Sequence, residues 1–179
     1  MNFKVNKSDA VYYGRVIDLK VDEIEYENGV VGIREVAVHP GGAVVIPMKD
    51  DGKVVLVKQF RYPLQKTILE FPAGKLDKDE DPLVCAVREL EEETGYKSNN
   101  IIKLGAIYST PGFCTEILHV FLAKDLQAGN HNRDDGEYGM EVLEYSLDEI
   151  EKMIQSGDLM DAKSICAVKM VELIPDHKF

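Results

Sequence analysis

The residues best equipped for chemistry stand in one short run, Arg88-Glu89-Leu90-Glu91-Glu92-Glu93. If the run is helical, Glu89 and Glu93 are four apart and neighbour each other on one face. Two acids so placed repel and weaken the helix unless a cation sits between them. Mg²⁺ is such a partner: it takes carboxylate oxygens, keeps several waters and bridges to substrate phosphates. Arg88 lies four residues before Glu92 and can pair with it, or orient the metal-facing acids from behind. The same run also reads as a solvated, glutamate-rich helix face.

The elements that must position these groups follow from the flanking sequence. Asp81 can cap a helix over 82–94, Pro82 suits its first position, and Gly95 sits where a left-handed terminator belongs. Leu83, Ala86, Val87 and Leu90 recur at helical spacing as its apolar stripe, which places Glu89 and Glu93 at the border of the buried side and Glu92 one step further round. Residues 11–38 alternate polar and apolar positions around a Glu27-Asn28-Gly29 turn, the pattern of antiparallel strands joined by a hairpin. His39-Pro40-Gly41-Gly42 interrupts it and marks a boundary between an N-terminal β sub-domain, residues 1–40, and a second domain, residues 41–179. GAVVIPM, a turn at Asp51-Gly52 and KVVLVKQFRY predict a second hairpin, and TILEF (67–71) predicts a short strand ending at Pro72-Ala73-Gly74. Further strands are expected near 101–108, 117–123 and 141–147. Ser146 and Glu149 have capping-box spacing and start a helix through Ser156. Asp161 can cap a last helix, with Ile165, Val168 and Leu173 on one side. Hairpins with a few helices, rather than regular βαβ repeats, predict a mixed α/β (α+β) sandwich.

Composition bounds the function. The chain has 179 residues, 45% apolar and 30% charged, which fits one domain with a small appendage and argues against disorder. No apolar run approaches the ~20 residues of a membrane span. The start, MNFKVNKSDAVYYGR, carries no secretory signature, so the expected compartment is the cytoplasm. Three cysteines without a CxxC pair exclude a disulfide scaffold or zinc finger and fit a reducing cytosol. Acidic residues outnumber basic ones by 32 to 21, a net charge of −11 that argues against nucleic-acid binding through a basic face.

The glutamate run belongs to a wider pattern. Gly74 is followed after five residues by Glu80, and after seven more by Arg88-Glu89-Leu90-Glu91-Glu92-Glu93-Thr94-Gly95-Tyr96. This resembles the signature box of the Nudix hydrolases, and seven fixed positions at ~5–7% usage each match by chance about once in 10⁸ to 10⁹ windows. Tyr96 departs from the small aliphatic of the box, at a position that contributes packing rather than a ligand. The resemblance implies a mixed β-sheet sandwiched between α-helices, with the box as loop–helix–loop. It further implies Glu89 and Glu93 as principal metal ligands, Glu92 as an additional one, and the Ala73 carbonyl as a backbone ligand. Glu80 and Arg88 would support them, with Arg88 and Glu92 also in the catalytic set. The implied cofactor is Mg²⁺, with Mn²⁺ as a substitute, neutralising charge at phosphorus and helping generate a hydroxide nucleophile.

Other segments resemble the ADP-ribose pyrophosphatase branch of that family. Pro111 lies 16 residues after Gly95 within YSTPGFCTE, which also reads as an ordinary Pro-Gly turn. REVAVHPGG (34–42), VKQFRYPL (57–64) and LEFPAGKL (69–76) extend the likeness across residues 11–174. Gly42 stands where the branch has Ala, a change expected only to loosen a turn. The resemblance implies substrate contacts from Arg34, Arg61, Glu70, Pro111, Gly112 and Glu116. Guanidinium forks grip phosphate oxygens, although each arginine can equally cap a strand edge. In this branch a catalytic acid often comes from a distant loop. Here NHNRDDGEYG offers Glu137 first and Asp135 second, as base or metal ligand, against the alternative of a solvated acidic loop. If Glu137 has that role, Glu137→Gln cuts turnover by about 10² to 10⁴. The branch forms homodimers through its N-terminal region, which helps hold the adenine; Tyr12, Tyr13 and Tyr26 can stack on a base or pack as half-buried sheet aromatics. Cys114 reads as a packed thiol.

The implied activity is Mg²⁺-dependent hydrolysis of the diphosphate bond of ADP-ribose to AMP and ribose 5-phosphate by water, without a covalent intermediate. The implied partners are a small-molecule nucleoside diphosphate sugar and a second copy of the chain, with no nucleic acid and no membrane. Three alternatives stand beside it: another nucleoside diphosphate sugar such as GDP-mannose, a catalytically silent nucleotide-sensing module, and an acidic interaction protein.

Overall fold

The computed structural model describes residues 2–130 and 139–174. The chain divides into two compact units, Met1–Gly41 with Tyr108–Ile117, and Gly42–Ile107 with Leu118–Phe179.

The first unit is built on β1 (Phe3–Tyr13), β2 (Asp18–Tyr26) and β3 (Val31–Val38), an antiparallel sheet in that order. The expected hairpin joins β2 to β3: the Tyr26 amide donates to the Val30 carbonyl at 2.9 Å. β1 lies mostly ahead of the predicted hairpin and was not expected there. All eleven of its residues are exposed, so no apolar alternation marks it. Its pairing to β2 is reinforced by Ser8 Oγ donating to Asp22 Oδ1 at 2.5 Å. The segment 108–117 ties back to β3 through the Ala37 amide on the Phe113 carbonyl, 2.8 Å, and the Thr115 amide on the Ala37 carbonyl, 3.0 Å.

The second unit contains β4 (Gly42–Pro47), β5 (Val54–Arg61), β6 (Lys66–Glu70), β7 (Ala73–Lys75), α1 (Pro82–Thr94), β8 (Tyr96–Lys97), most of β9 (Asn100–Tyr108) and β10 (Ile117–Lys124), β11 (Gln127–Ala128), β12 (Glu141–Tyr145), α2 (Leu147–Ser156) and α3 (Ala162–Glu172). Its largest sheet runs β7-β4-β10-β9, with β4 parallel to β10 and antiparallel to β7. A second sheet runs β12-β5-β6, and β8 pairs with β11.

Every residue of β4 is buried, and its side chains alternate between two cores. Val44 and Ile46 face the core that holds Ile150 of α2 and Ala167, Val168 and Val171 of α3. Ala43 and Val45 face the core that holds Cys85, Ala86 and Leu90 of α1. β10 alternates the same way, with Val120 and Leu122 on one side and Phe121 and Ala123 on the other. The mixed sheet is therefore covered by helices on both faces, which is why GAVVIP reads as a continuous apolar run rather than an alternating one.

Three expectations are corrected. β4 and β5 do not form a hairpin sheet; a single bridge, Met48 to Val54, joins them before they diverge into different sheets. The turn at Asp51-Gly52 is real, but β4 is claimed on its edges by β7 and β10. The last helix buries Ser164, Ala167, Val168 and Val171, while Leu173 is 69% exposed. Gly42 is no turn residue: it begins β4, and a Cβ there would stand 2.7 Å from the Gly74 carbonyl oxygen. The backbones of β4 and β7 are thus packed too closely at that point for alanine.

Candidate active site

α1 starts at an Asp81 cap, whose carboxylate accepts the Leu83 amide at 2.8 Å, and ends at Gly95 with φ +76°. Both signals act as the sequence predicts, but the buried face keeps only Ala86 and Leu90 of the expected stripe and is rotated toward the acids. Leu83 and Val87 are 42% and 41% exposed, whereas Cys85, Ala86, Glu89, Leu90 and Glu93 are buried. At about 100° per residue, Glu89 and Glu93 lie in the middle of that face, not at its border. Two carboxylates in the interior need donors, because an uncompensated buried charge is strongly unfavourable.

The segment after β6 supplies part of that compensation. The Ala73 amide donates to Glu93 Oε2 at 3.1 Å. Glu89 lies directly against Gly74, where any Cβ would fall 1.6 Å from its Oε1. Glycine at 74 is what lets the carboxylate reach the backbone. Arg88 supplies the charge. Its Nη1 donates to Glu89 Oε1 at 2.6 Å and to Glu92 Oε2 at 3.0 Å, its Nε to Glu80 Oε1 at 3.1 Å, and its Nη2 to Glu80 Oε2 at 3.2 Å and the Lys75 carbonyl at 3.3 Å. The hydrogen bond to Arg88 holds the Glu80 carboxyl below its usual range, and the acids around Arg88, Glu80 foremost, raise the guanidinium further above its own. Glu80 also accepts the Asp77 amide at 2.9 Å, so one carboxylate braces both the loop and the arginine.

Beneath the loop, Cys85 Sγ lies 3.6 Å from the Gly74 carbonyl and 3.7 Å from that of Lys75. Burial first, then Glu89, pushes its thiol up to about 12. The nucleophilic thiolate is therefore scarce at neutral pH, and Cys85 serves packing.

Beside the cluster, Arg61 of β5 grips Glu70 of β6 in a two-point fork, Nε to Oε1 and Nη2 to Oε2, each 2.8 Å. Burial pulls the Arg61 pKa down, but the Glu70 hydrogen bond and the charges of Glu70, Glu93 and Asp161 together outweigh it, so the net direction is up. Of the α1 carboxylates, Glu93 is the one whose charge acts on Arg61. Glu70 is 1% exposed and also receives Lys163 Nζ from α3. Both Glu70 oxygens are thus engaged within the protein, by Arg61 and Lys163. Nothing in the local sequence pointed to Lys163, whose partner is 93 positions away.

Residues 38–165 match the family described as NUDIX domain, about seven-tenths of the chain. The chain belongs to the Nudix family. It is 43% identical over 171 residues, 95% of this chain and 92% of the relative, to an ADP-ribose pyrophosphatase of Bacillus subtilis. It is 41% identical over 172 residues, 95% of this chain and 92% of the relative, to a methanol dehydrogenase activator of Bacillus methanolicus. A crystal structure of an ADP compounds hydrolase matches the fold with a TM-score of 0.84 at 20% identity, covering 96% of this chain and 93% of that one.

Within this Nudix domain, the second unit brings together Ala73, Glu80, Arg88, Glu89, Glu92 and Glu93, with Arg61 and Glu70 beside them. Tyr96, the departure from the box, packs into the α1 core and donates its hydroxyl to Glu144 Oε1 at 3.1 Å. Arg34, Pro111, Gly112 and Glu116 lie in the first unit. There Arg34 is exposed, donates to the Ile33 carbonyl at 2.7 Å and to the Tyr26 hydroxyl, and stands 5.9 Å from the Tyr26 ring centroid. Pro111 and Gly112 are exposed, and Glu116 Oε1 lies 3.4 Å from His39 Nδ1. Tyr12 and Tyr13 are 57% and 77% exposed. Glu137 and Asp135 lie outside the described residues.

The donor set suits a hard divalent cation: three carboxylates and a backbone carbonyl, all oxygen, with Glu89 and Glu93 interior and Glu89 set in the cradle that Gly74 leaves open. Among the described residues, no three His, Cys, Asp or Glu side chains already converge as a metal cage. Glu89 and Glu92 are both turned onto Arg88, so cation binding would compete with that arginine.

Proposed function

We propose that this Nudix domain hydrolyses the diphosphate bond of ADP-ribose to AMP and ribose 5-phosphate, with Mg²⁺ as cofactor and Mn²⁺ as a substitute. The observation that carries this reading is the pair of interior carboxylates, Glu89 and Glu93, set against the Ala73-Gly74 backbone and flanked by the Arg61 fork. Interior acids on a helix cost stability, and holding a divalent cation would account for their place.

Glu89, Glu93, Glu92 and the Ala73 carbonyl would hold the metal, which neutralises charge developing at phosphorus and lowers the pKa of an attacking water. Arg88 orients Glu89 and Glu92, Glu80 steadies Arg88, and Arg61 binds phosphate oxygens. Arg34, Pro111, Gly112 and Glu116, in the first unit, are read as substrate contacts, Arg34 as a guanidinium suited to phosphate oxygens. The substrate assignment draws support from the 43% identical relative named ADP-ribose pyrophosphatase.

Residues 1–40, which make up most of the first unit, are read as a homodimerisation and base-binding sub-domain. Its support is the exposure of Phe3, Val5, Val31 and Ile33, each about half open to solvent on a small sheet. A reducing cytoplasmic setting is supported by three free cysteines, Cys85, Cys114 and Cys166.

The test is a parallel assay of ADP-ribose and GDP-mannose with product identification, compared through their kcat/KM ratio. Preference for ADP-ribose, yielding AMP, supports the reading; preference for GDP-mannose moves the substrate and keeps the chemistry. The relative named methanol dehydrogenase activator favours a second reading, in which the domain regulates a dehydrogenase. A change in methanol dehydrogenase rate on adding this protein would support it.

A further inference from the structure

We propose that Lys163, in the first turn of α3, is a positioning residue for the substrate diphosphate: it fixes the Glu70 carboxylate, which holds the Arg61 guanidinium in the orientation that grips phosphate. The inference rests on the reading of Arg61 as a phosphate-binding group.

Three observations carry it. First, Lys163 Nζ contacts Glu70 Oε2, the oxygen that also accepts Arg61 Nη2, and Asp161 Oδ2 lies 3.0 Å from the same ammonium. The groups form a continuous chain Asp161–Lys163–Glu70–Arg61. Its middle is interior, with Glu70 1% and Lys163 13% exposed at the side chain, while the Arg61 side chain keeps 39% open to solvent. Second, a cation in the first turn of a helix opposes the macrodipole and is normally disfavoured there. A lysine at this position needs a compensating anion, and Glu70 and Asp161 provide it. Third, the same turn is fastened to the segment entering the metal-side loop. Ser164 Oγ accepts the Phe71 amide at 2.8 Å and donates to Asp161 Oδ2 at 2.6 Å. The start of α3 thus clamps the two residues, Glu70 and Phe71, that precede Pro72-Ala73-Gly74.

The chemical consequence is specific. An arginine whose side chain is partly open to solvent loses side-chain freedom when it binds phosphate. A carboxylate locked from behind removes that freedom beforehand and so improves binding. Loss of Lys163 should therefore act on substrate affinity through Arg61, not on the fold at large.

The test compares the full-length chain with Lys163→Met, Lys163→Arg, Arg61→Ala and the double variant Lys163→Met/Arg61→Ala in ADP-ribose hydrolysis. Lys163→Gln replaces the methionine form if that form does not fold. Removing one charge-assisted partner of a buried carboxylate should raise KM roughly tenfold or more, with a smaller change in kcat. Lys163→Arg should recover most of the loss, and Lys163→Met should add little once Arg61 is gone. Binding of inorganic pyrophosphate, titrated calorimetrically without divalent ions, should weaken in parallel. An unchanged KM in Lys163→Met, or a full-size effect in the Arg61→Ala background, overturns the proposal. If the parent chain leaves ADP-ribose intact, the substrate reading fails by itself, and the pyrophosphate titrations of the same four variants still decide the role of Lys163.

Discussion

A methyl group at position 74 would stand 1.6 Å from Glu89 Oε1, so the backbone there and the carboxylate occupy mutually defined places. Gly74→Ala must push Glu89 aside. A displacement of about an ångström at a reacting centre costs on the order of 10²-fold, and steady-state turnover of the variant should fall by that amount while its circular dichroism stays native. Glu80 makes a different prediction. Its carboxyl titrates below its usual 4.5 because Arg88 bonds the ionised form. A depressed folded-state pKa stabilises the protein above about 4.5 and loses that contribution as pH falls through the lowered value. Glu80→Gln should flatten the acid limb of a stability-versus-pH curve below 4.5; an unchanged limb contradicts the assignment. At this scale the box acids were legible because helical spacing relates them locally. Their burial was not, since Leu83 and Val87 are chemically better core residues and only the packing of β4 and β7 against α1 turns the helix the other way.

Helix ends were the most legible elements because their signals are local. Asp81, Ser146 and Asp161 each cap the helix they were expected to start. In α2 the Ser146 and Glu149 side chains cap reciprocally, with the Ser146 amide on Glu149 Oε2 at 2.8 Å. Ser146→Ala should therefore cost about 1 kcal/mol in urea unfolding. Strand partners were harder to read. β4 and β5 look like a hairpin because a real turn joins them, yet the partners of β4 are β7 and the distant β10, and sequence spacing carries no record of such pairing. β1 escaped notice for the opposite reason: with no buried face, it has no periodicity to detect.

For the whole molecule, the fold class was legible and the family follows from the box, whereas partner and substrate depend on surfaces that one sequence leaves undefined. The reading of the first unit as an interface predicts a dimer in sedimentation of the full chain, and loss of both dimer and activity on deleting residues 1–38; a monomeric, active truncation contradicts it. The central claim is that the carboxylates of α1 hold divalent ions against a diphosphate. It is tested most directly by following ADP-ribose hydrolysis with and without Mg²⁺ in the parent chain and in Glu92→Gln/Glu93→Gln. The account predicts AMP and ribose 5-phosphate only with the ion present, and a drop in the double variant on the order of 10²-fold or more. Full activity in the variant, or equal rates without divalent ions, would contradict it.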